Sequence, residues 1–170
     1  MTRASILGAV LVAVLAVGCQ DERRRPVTAP AAAQLKDTVF YVTVSDASPT
    51  VGATVTVTAN VAQRPGFKPV GSFKLHLRYD ATGLTFLRES KLPSGMRALN
   101  PQRGDIIAAG AAVDGFQDGR LFAAAFTVQN PAALSSLALE VEELNGADFV
   151  DQLPKVRRGS VRLPRTFRKG

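Results

Sequence analysis

The chain has one histidine, His76, and one cysteine, Cys19, so the chemistry open to its side chains is narrow. Nucleophilic catalysis needs a base held beside the nucleophile. His76 lies in the run Phe73-Lys74-Leu75-His76-Leu77-Arg78, on the polar side with Lys74 and Arg78. That is the setting of an isolated surface histidine, and the chain is expected not to be an enzyme. Carboxylates gather further on, as Glu140, Glu142, Glu143, Asp148 and Asp151. Paired carboxylates can cleave glycosidic bonds or hold calcium. A calcium loop sets its oxygen ligands at close, fixed intervals, and this spacing matches no such loop. Glu142-Glu143 ahead of Asn145-Gly146 reads instead as a strand end and a turn. No metal or cofactor is expected.

Sugar-binding sandwiches rest pyranose rings on exposed aromatic faces. The chain has no Trp and two Tyr. A glycan face would have to use Phe67 and Phe116, both in expected loops, together with Tyr41. This is the alternative to protein binding; the same phenylalanines read equally well as loop anchors.

Cys19 carries a different chemistry. Arg3 precedes an apolar run from Ile6 to Val17, and Ala16-Val17-Gly18 lead into the thiol. The run is about a dozen residues, against the roughly 20 of a membrane-spanning helix. Charge, short apolar core and small residues in that order are the layout of a secretory signal. A cysteine directly after it points to a bacterial lipoprotein, with residues 1–18 removed and Cys19 acylated. The protein is then exported and lipid-anchored in the cell envelope. Gln20 after the cysteine favours the outer membrane or cell surface over the inner membrane. With Cys19 lipidated the domain has no disulfide and stands on its hydrophobic core.

The formal charge is +7, but its location removes nucleic acid from the candidate partners. Arg23, Arg24, Arg25, Arg165, Arg168 and Lys169 lie in the tails, and the body between Lys36 and Leu163 is near neutral. A nucleic-acid binder concentrates charge on a folded face. Solvated tails near a membrane surface account for this pattern.

Residues 19–36 comprise Cys19 and a charged, then Pro/Ala-rich stretch with almost no bulky apolar residue, a flexible linker. At ~3.1 Å per residue where extended, it could hold a domain up to about 45 Å from the bilayer. Residues 37–164 form the expected domain, and residues 165–170 a basic tail. Within the domain, apolar residues recur at period two: Val39 to Val44, Val51 to Val61, Phe73 to Leu77, Leu84 to Leu87, Ile106 to Val113, Leu121 to Val128, Leu137 to Val141 and Gly159 to Leu163. Gly115 to Gly119 reads as a hairpin loop between two of these strands. Eight or nine strands at roughly ten-residue spacing, with Gly and Pro at the joins, predict an all-β sandwich of immunoglobulin-like or jelly-roll type.

Four phrases in order sharpen that class. Val70-Gly-Ser-Phe-Lys-Leu-His-Leu-Arg-Tyr-Asp80, continuing to Gly83-Leu-Thr-Phe-Leu87, resembles the third strand and following turn of cohesin domains. Asp118 to Val128, Leu137 to Asn145 and Val156 to Leu163 resemble later strands of the same family. The likeness runs from about Thr38 to Leu163. It implies a nine-stranded jelly roll that binds a dockerin module through one sheet face, as in polysaccharide-degrading assemblies, with the calcium carried by the dockerin. Carried over by position, the partner-binding residues would be Ser72, Lys74, His76 and Arg78, with further contributions from the Ile106–Ala112 strand. The family often has Asn and Asp where Ser72 and Lys74 stand, so Lys74 reverses a charge that steers partner choice. A structural envelope lipoprotein is the remaining expectation.

Overall fold

The computed structural model describes residues 38–63 and 65–153. The expected signal segment, Cys19, the expected linker, the expected closing strand Gly159–Leu163 and the basic residues 165–170 lie outside the described residues. Eight strands are present among the described residues: β1 (Val39–Val44), β2 (Thr54–Ala62), β3 (Val70–Arg78), β4 (Leu84–Glu89), β5 (Met96–Gln102), β6 (Asp105–Ala111), β7 (Arg120–Val128) and β8 (Ala138–Gly146). They form two four-stranded sheets, ordered β1-β2-β7-β4 and β5-β6-β3-β8. Every pairing is antiparallel. The all-β sandwich expected from period-two patterning is what the chain forms.

Alternation decides which side chains meet between the sheets. On β2, Val55, Val57, Ala59 and Val61 turn inward and the intervening threonines outward. On β3, Phe73, Leu75 and Leu77 are buried while Ser72, Lys74 and His76 alternate with them on the other face. Phe122, Ala124, Phe126 and Val128 of the central strand β7 join the same core. Phe126 takes Tyr79 and Phe86 edge-on, with ring centroids 5.1 and 6.0 Å away. Each large side chain sealed in this way contributes about 1.5–3 kcal/mol.

One expectation is corrected, and one strand, β5, is added to those the sequence marks. The Gly115–Gly119 segment is not a hairpin loop, because β6 pairs with β3 and β5 whereas β7 pairs with β2 and β4. It crosses from one sheet to the other. The Phe116 N–H donates to Val70 O at 2.8 Å and the Val61 N–H to Gly119 O at 2.8 Å, which ties the crossing to both sheets. Strand β5 carries no period-two signal in the sequence. It is an edge strand with Pro101, a residue that sheets tolerate at edges. Arg97 fixes it: the guanidinium donates to the carbonyls of Ser94, Arg120 and Leu121 and lies 4.7 Å over the Phe116 ring. Burial lowers the Arg97 pKa, and the carbonyls take the place of water around its charge.

A 3-10 helix, Pro131–Ser136, returns the chain from β7 to β8. Asn130 caps it by accepting from the Ala132 N–H at 3.0 Å, and it buries Ala133 and Leu134.

Candidate functional site

The outer face of the β5-β6-β3-β8 sheet collects the side chains that the sequence marked as partner-binding. Register sets them out as a grid. One row is Met96, Ala111, Ser72 and Asn145; the next is Ala98, Ala109, Lys74 and Glu143. A third is Asn100, Ile107, His76 and Glu140, and the last is Gln102, Asp105, Arg78 and Ala138. The β5–β6 half is apolar over Met96, Ala98, Ala109, Ala111 and Ile107 and turns polar at Asn100, Gln102 and Asp105, and the β3–β8 half is mainly charged.

A β-bulge in β8 loads the charged half. Lys74 pairs with Glu143 and Leu75 with Val141, so Glu142 is an extra residue without a cross-strand partner of its own. A bulge bends the strand and re-aims side chains. Here Glu142 and Glu143 are both exposed instead of alternating in and out. The sequence carries the trace of it: β8's inward apolar residues, Leu139, Val141 and Leu144, change from a spacing of two to three.

Glu142 uses that position to hold two cations. Its carboxylate lies 2.5 Å from Lys74 Nζ and 2.8 Å from His76 Nε2. The other ring nitrogen, Nδ1, is 2.7 Å from Asp105 Oδ2 on β6. Arg78 Nη2 pairs with Glu140 at 2.8 Å, and the Asn145 side-chain amide donates to Ser72 Oγ at 3.1 Å. His76 is therefore not the isolated surface histidine its sequence context suggests. Its side chain is 14% exposed and joins β6, β3 and β8 in one network. The hydrogen bond to Asp105 raises the His76 pKa first, and the bond to Glu142 adds to it against the effect of burial. Glu142 is held below the usual carboxylate range by Lys74 and then His76, and Lys74 is raised by Glu142.

The arrangement is poor for catalysis. Both ring nitrogens of His76 face carboxylates, so neither has a free lone pair for a substrate proton. The two carboxylates sit on opposite sides of the ring and do not converge. Among the described residues no His, Cys, Asp and Glu group is placed to hold a metal ion.

The aromatic alternative is not assembled. Phe116 is 2% exposed and packs edge-on against Phe73, centroids 5.2 Å apart, so it is a core plug and offers no sugar platform. Phe67 is partly buried in the β2–β3 loop, and Tyr41 lies on β1 in the other sheet.

No family model matches the chain, and no curated protein does. Solved structures do. A type II cohesin domain from the cellulosome of Acetivibrio cellulolyticus is 12% identical with a TM-score of 0.53, covering 75% of this chain and 92% of its own. An interface mutant of a type II cohesin–X-dockerin complex from the same organism gives 11% identity and a TM-score of 0.51 over 68% of this chain and 90% of that one. The fold is a cohesin fold. A cohesin module from a Clostridium perfringens family 33 glycoside hydrolase shares it, at 14% identity and a TM-score of 0.51 over 67% and 88% of the two chains.

Proposed function

We propose that the chain is a cohesin-like binding module that captures a protein partner through the β5-β6-β3-β8 face, held at the cell envelope by lipid on Cys19. The observation that carries the reading is the division of that face. Ile107, Ala109, Ala111, Ala98 and Met96 offer a flat apolar half beside a half whose charges are largely paired. Pre-paired charges orient a partner, while apolar contact supplies most of the affinity. A protein interface of roughly 800 Å² per side suits such a surface better than a small-molecule pocket would. Ser72, Lys74, His76 and Arg78 are its polar contacts, and a dockerin-type module, as in the Acetivibrio complex, is the first partner to test. A link to polysaccharide-degrading assemblies would follow from the identity of that partner.

The test is titration calorimetry of the whole mature chain with a type II X-dockerin, beside a polysaccharide array. Saturable binding to the dockerin that Ile107→Asp weakens at least thirtyfold supports the reading. Array binding without protein binding overturns it. Anchoring is tested separately: palmitate labelling of the expressed precursor should be lost in Cys19→Ala.

A further inference from the structure

The contact between His76 and two carboxylates has a consequence for the face that no charge count shows. Carboxylate oxygens accept and do not donate, so Nδ1 at 2.7 Å from Asp105 and Nε2 at 2.8 Å from Glu142 must both carry protons. Only the imidazolium has two N–H groups. A neutral ring can keep one of these contacts, and the other then sets a lone pair against a carboxylate.

We propose that His76 is a proton switch that gives the binding face two arrangements, with Glu142 as the moving part. Which carboxylate stays is decided by surroundings. Asp105 is the less exposed of the two, 26% against 39% for Glu142. Its Oδ1 is buried without a hydrogen-bond partner among the described residues, so the His76 N–H is the side chain's one polar contact. Leaving that half-buried carboxylate without a partner is costly, whereas the more exposed Glu142 keeps Lys74 and can turn its other oxygen to water. The neutral ring keeps Nδ1–H on Asp105, and Glu142 leaves Nε2.

The groups around the ring fix the electrostatic result. Lys74 and Arg78 flank it on β3, and Asp105 faces it from β6. Glu140, Glu142 and Glu143 face it from β8, with Glu140 held by Arg78. The neighbouring edge strand β5 presents Met96, Ala98 and Asn100 on this face. With the imidazolium in place, Lys74, His76 and Arg78 leave one negative charge in excess among Asp105, Glu140, Glu142 and Glu143. Once His76 is neutral the excess rises to two, and with Asp105 keeping the ring N–H it falls on the bulge at Glu142-Glu143. A partner presenting Lys or Arg there gains, and one presenting carboxylates loses, roughly threefold in Kd each way. This docking consequence rests on the protein-binding reading; the switch itself does not.

The chain's single histidine makes the test direct. Proton NMR of the whole mature protein follows the His76 ring across pH 5 to 9, with carbon-13 labelling reporting the Glu142 carboxyl. The expected result is a ring midpoint above the ordinary 6.5, a Glu142 transition at the same midpoint, and Nδ1–H as the neutral tautomer. Glu142→Gln should lower the midpoint and Asp105→Asn should lower it further. A midpoint at or below 6.5, or a Glu142 signal that ignores the ring, overturns the switch. Titration of an X-dockerin at pH 5.5 and 8.5 is the second arm. Absence of binding at both values would count against the proposed partner, while the NMR midpoints still decide the switch. A Kd independent of pH beside a positive NMR result would remove the docking consequence.

Discussion

The two outer faces of the sandwich are built on the same alternation and come out chemically opposite. Across β1-β2-β7-β4 the outward positions are mostly threonine (Thr43, Thr54, Thr56, Thr58, Thr127 and Thr85), with Val39, Tyr41 and Asn60 towards the β1 edge and Ala123 and Ala125 sunk between their neighbours. Short β-branched side chains make up most of that face, and its charges are Arg88 on β4 and Arg120 at the start of β7, the latter paired with Asp118. Across β5-β6-β3-β8 the outward positions divide into an apolar half and a network of three cations and three carboxylates, with Glu143 beside it. Threonine on a strand is explained by β propensity alone. A histidine clamped between carboxylates from two other strands is not, because it adds little to pairing that Thr would supply at no electrostatic cost. The difference is the ground for proposing the second face as the binding surface.

The largest way to break this comparison is to attack what both faces share. Phe116→Ala removes the ring that packs on Phe73 and under Arg97 where the chain crosses between sheets. A loss of about 3–5 kcal/mol is expected, read by urea denaturation. A cost under about 1 kcal/mol would mean that the ring is dispensable to the core and would reopen it as a ligand contact.

The faces themselves are separated by paired substitutions. Ile107→Asp, in the apolar half, should weaken partner binding at least thirtyfold, the effect of a hot-spot contact worth about 2 kcal/mol. Thr56→Asp, at the centre of the threonine face, should leave the affinity within twofold. Equal losses from both would show that binding does not use the face assigned to it. Circular dichroism on each variant distinguishes lost contact from lost fold.

A smaller effect is expected where the second sheet ends. Phe149, in the turn after β8, has φ 62° and is 92% exposed. A bulky residue in the left-handed region is strained, and water contact on the ring adds nothing to compensate. Phe149→Asn should stabilise the domain by about 0.5–1 kcal/mol, since Asn tolerates that conformation. A stability loss in thermal denaturation would show that the ring packs in solution.

Sequence describes the faces as far as local pattern reaches. Ser72, Lys74, His76 and Arg78 are legible as one outward row because strand alternation is a local rule. The partners of that row are not. Asp105 is 29 residues from His76 and Glu142 is 66 residues away, and only sheet order brings them together. The crossing at Gly115–Gly119 escapes sequence for the same reason: its glycines signal a turn but not which sheet receives the next strand. Phe116 within it is the available clue, since a large apolar residue in a tight loop needs somewhere to go. Strand β5 has no comparable signal, because Met96, Leu99 and Pro101 set no alternation and a guanidinium holds it in place.

The finest separation of the two faces is by pH. Hydrogen bonds to Asp105 and then Glu142 raise the His76 pKa in the folded protein above its ordinary 6.5. The folded state thus binds the proton more tightly than the unfolded chain does. The stability this gives is fully present below about pH 6.5 and is lost as pH rises through the folded value. His76→Gln, which cannot titrate, should therefore be less stable than the natural protein at pH 5.5, with the gap closing towards pH 9. Thr56→Ala on the other face should show a gap that does not change with pH. Urea midpoints for the three proteins across that range make the comparison, since a shared slope of the denaturation curves lets differences in midpoint stand for differences in stability. A His76→Gln gap that widens with pH would mean that the folded face disfavours the imidazolium, and the carboxylate clamp would then not be the dominant influence on the ring.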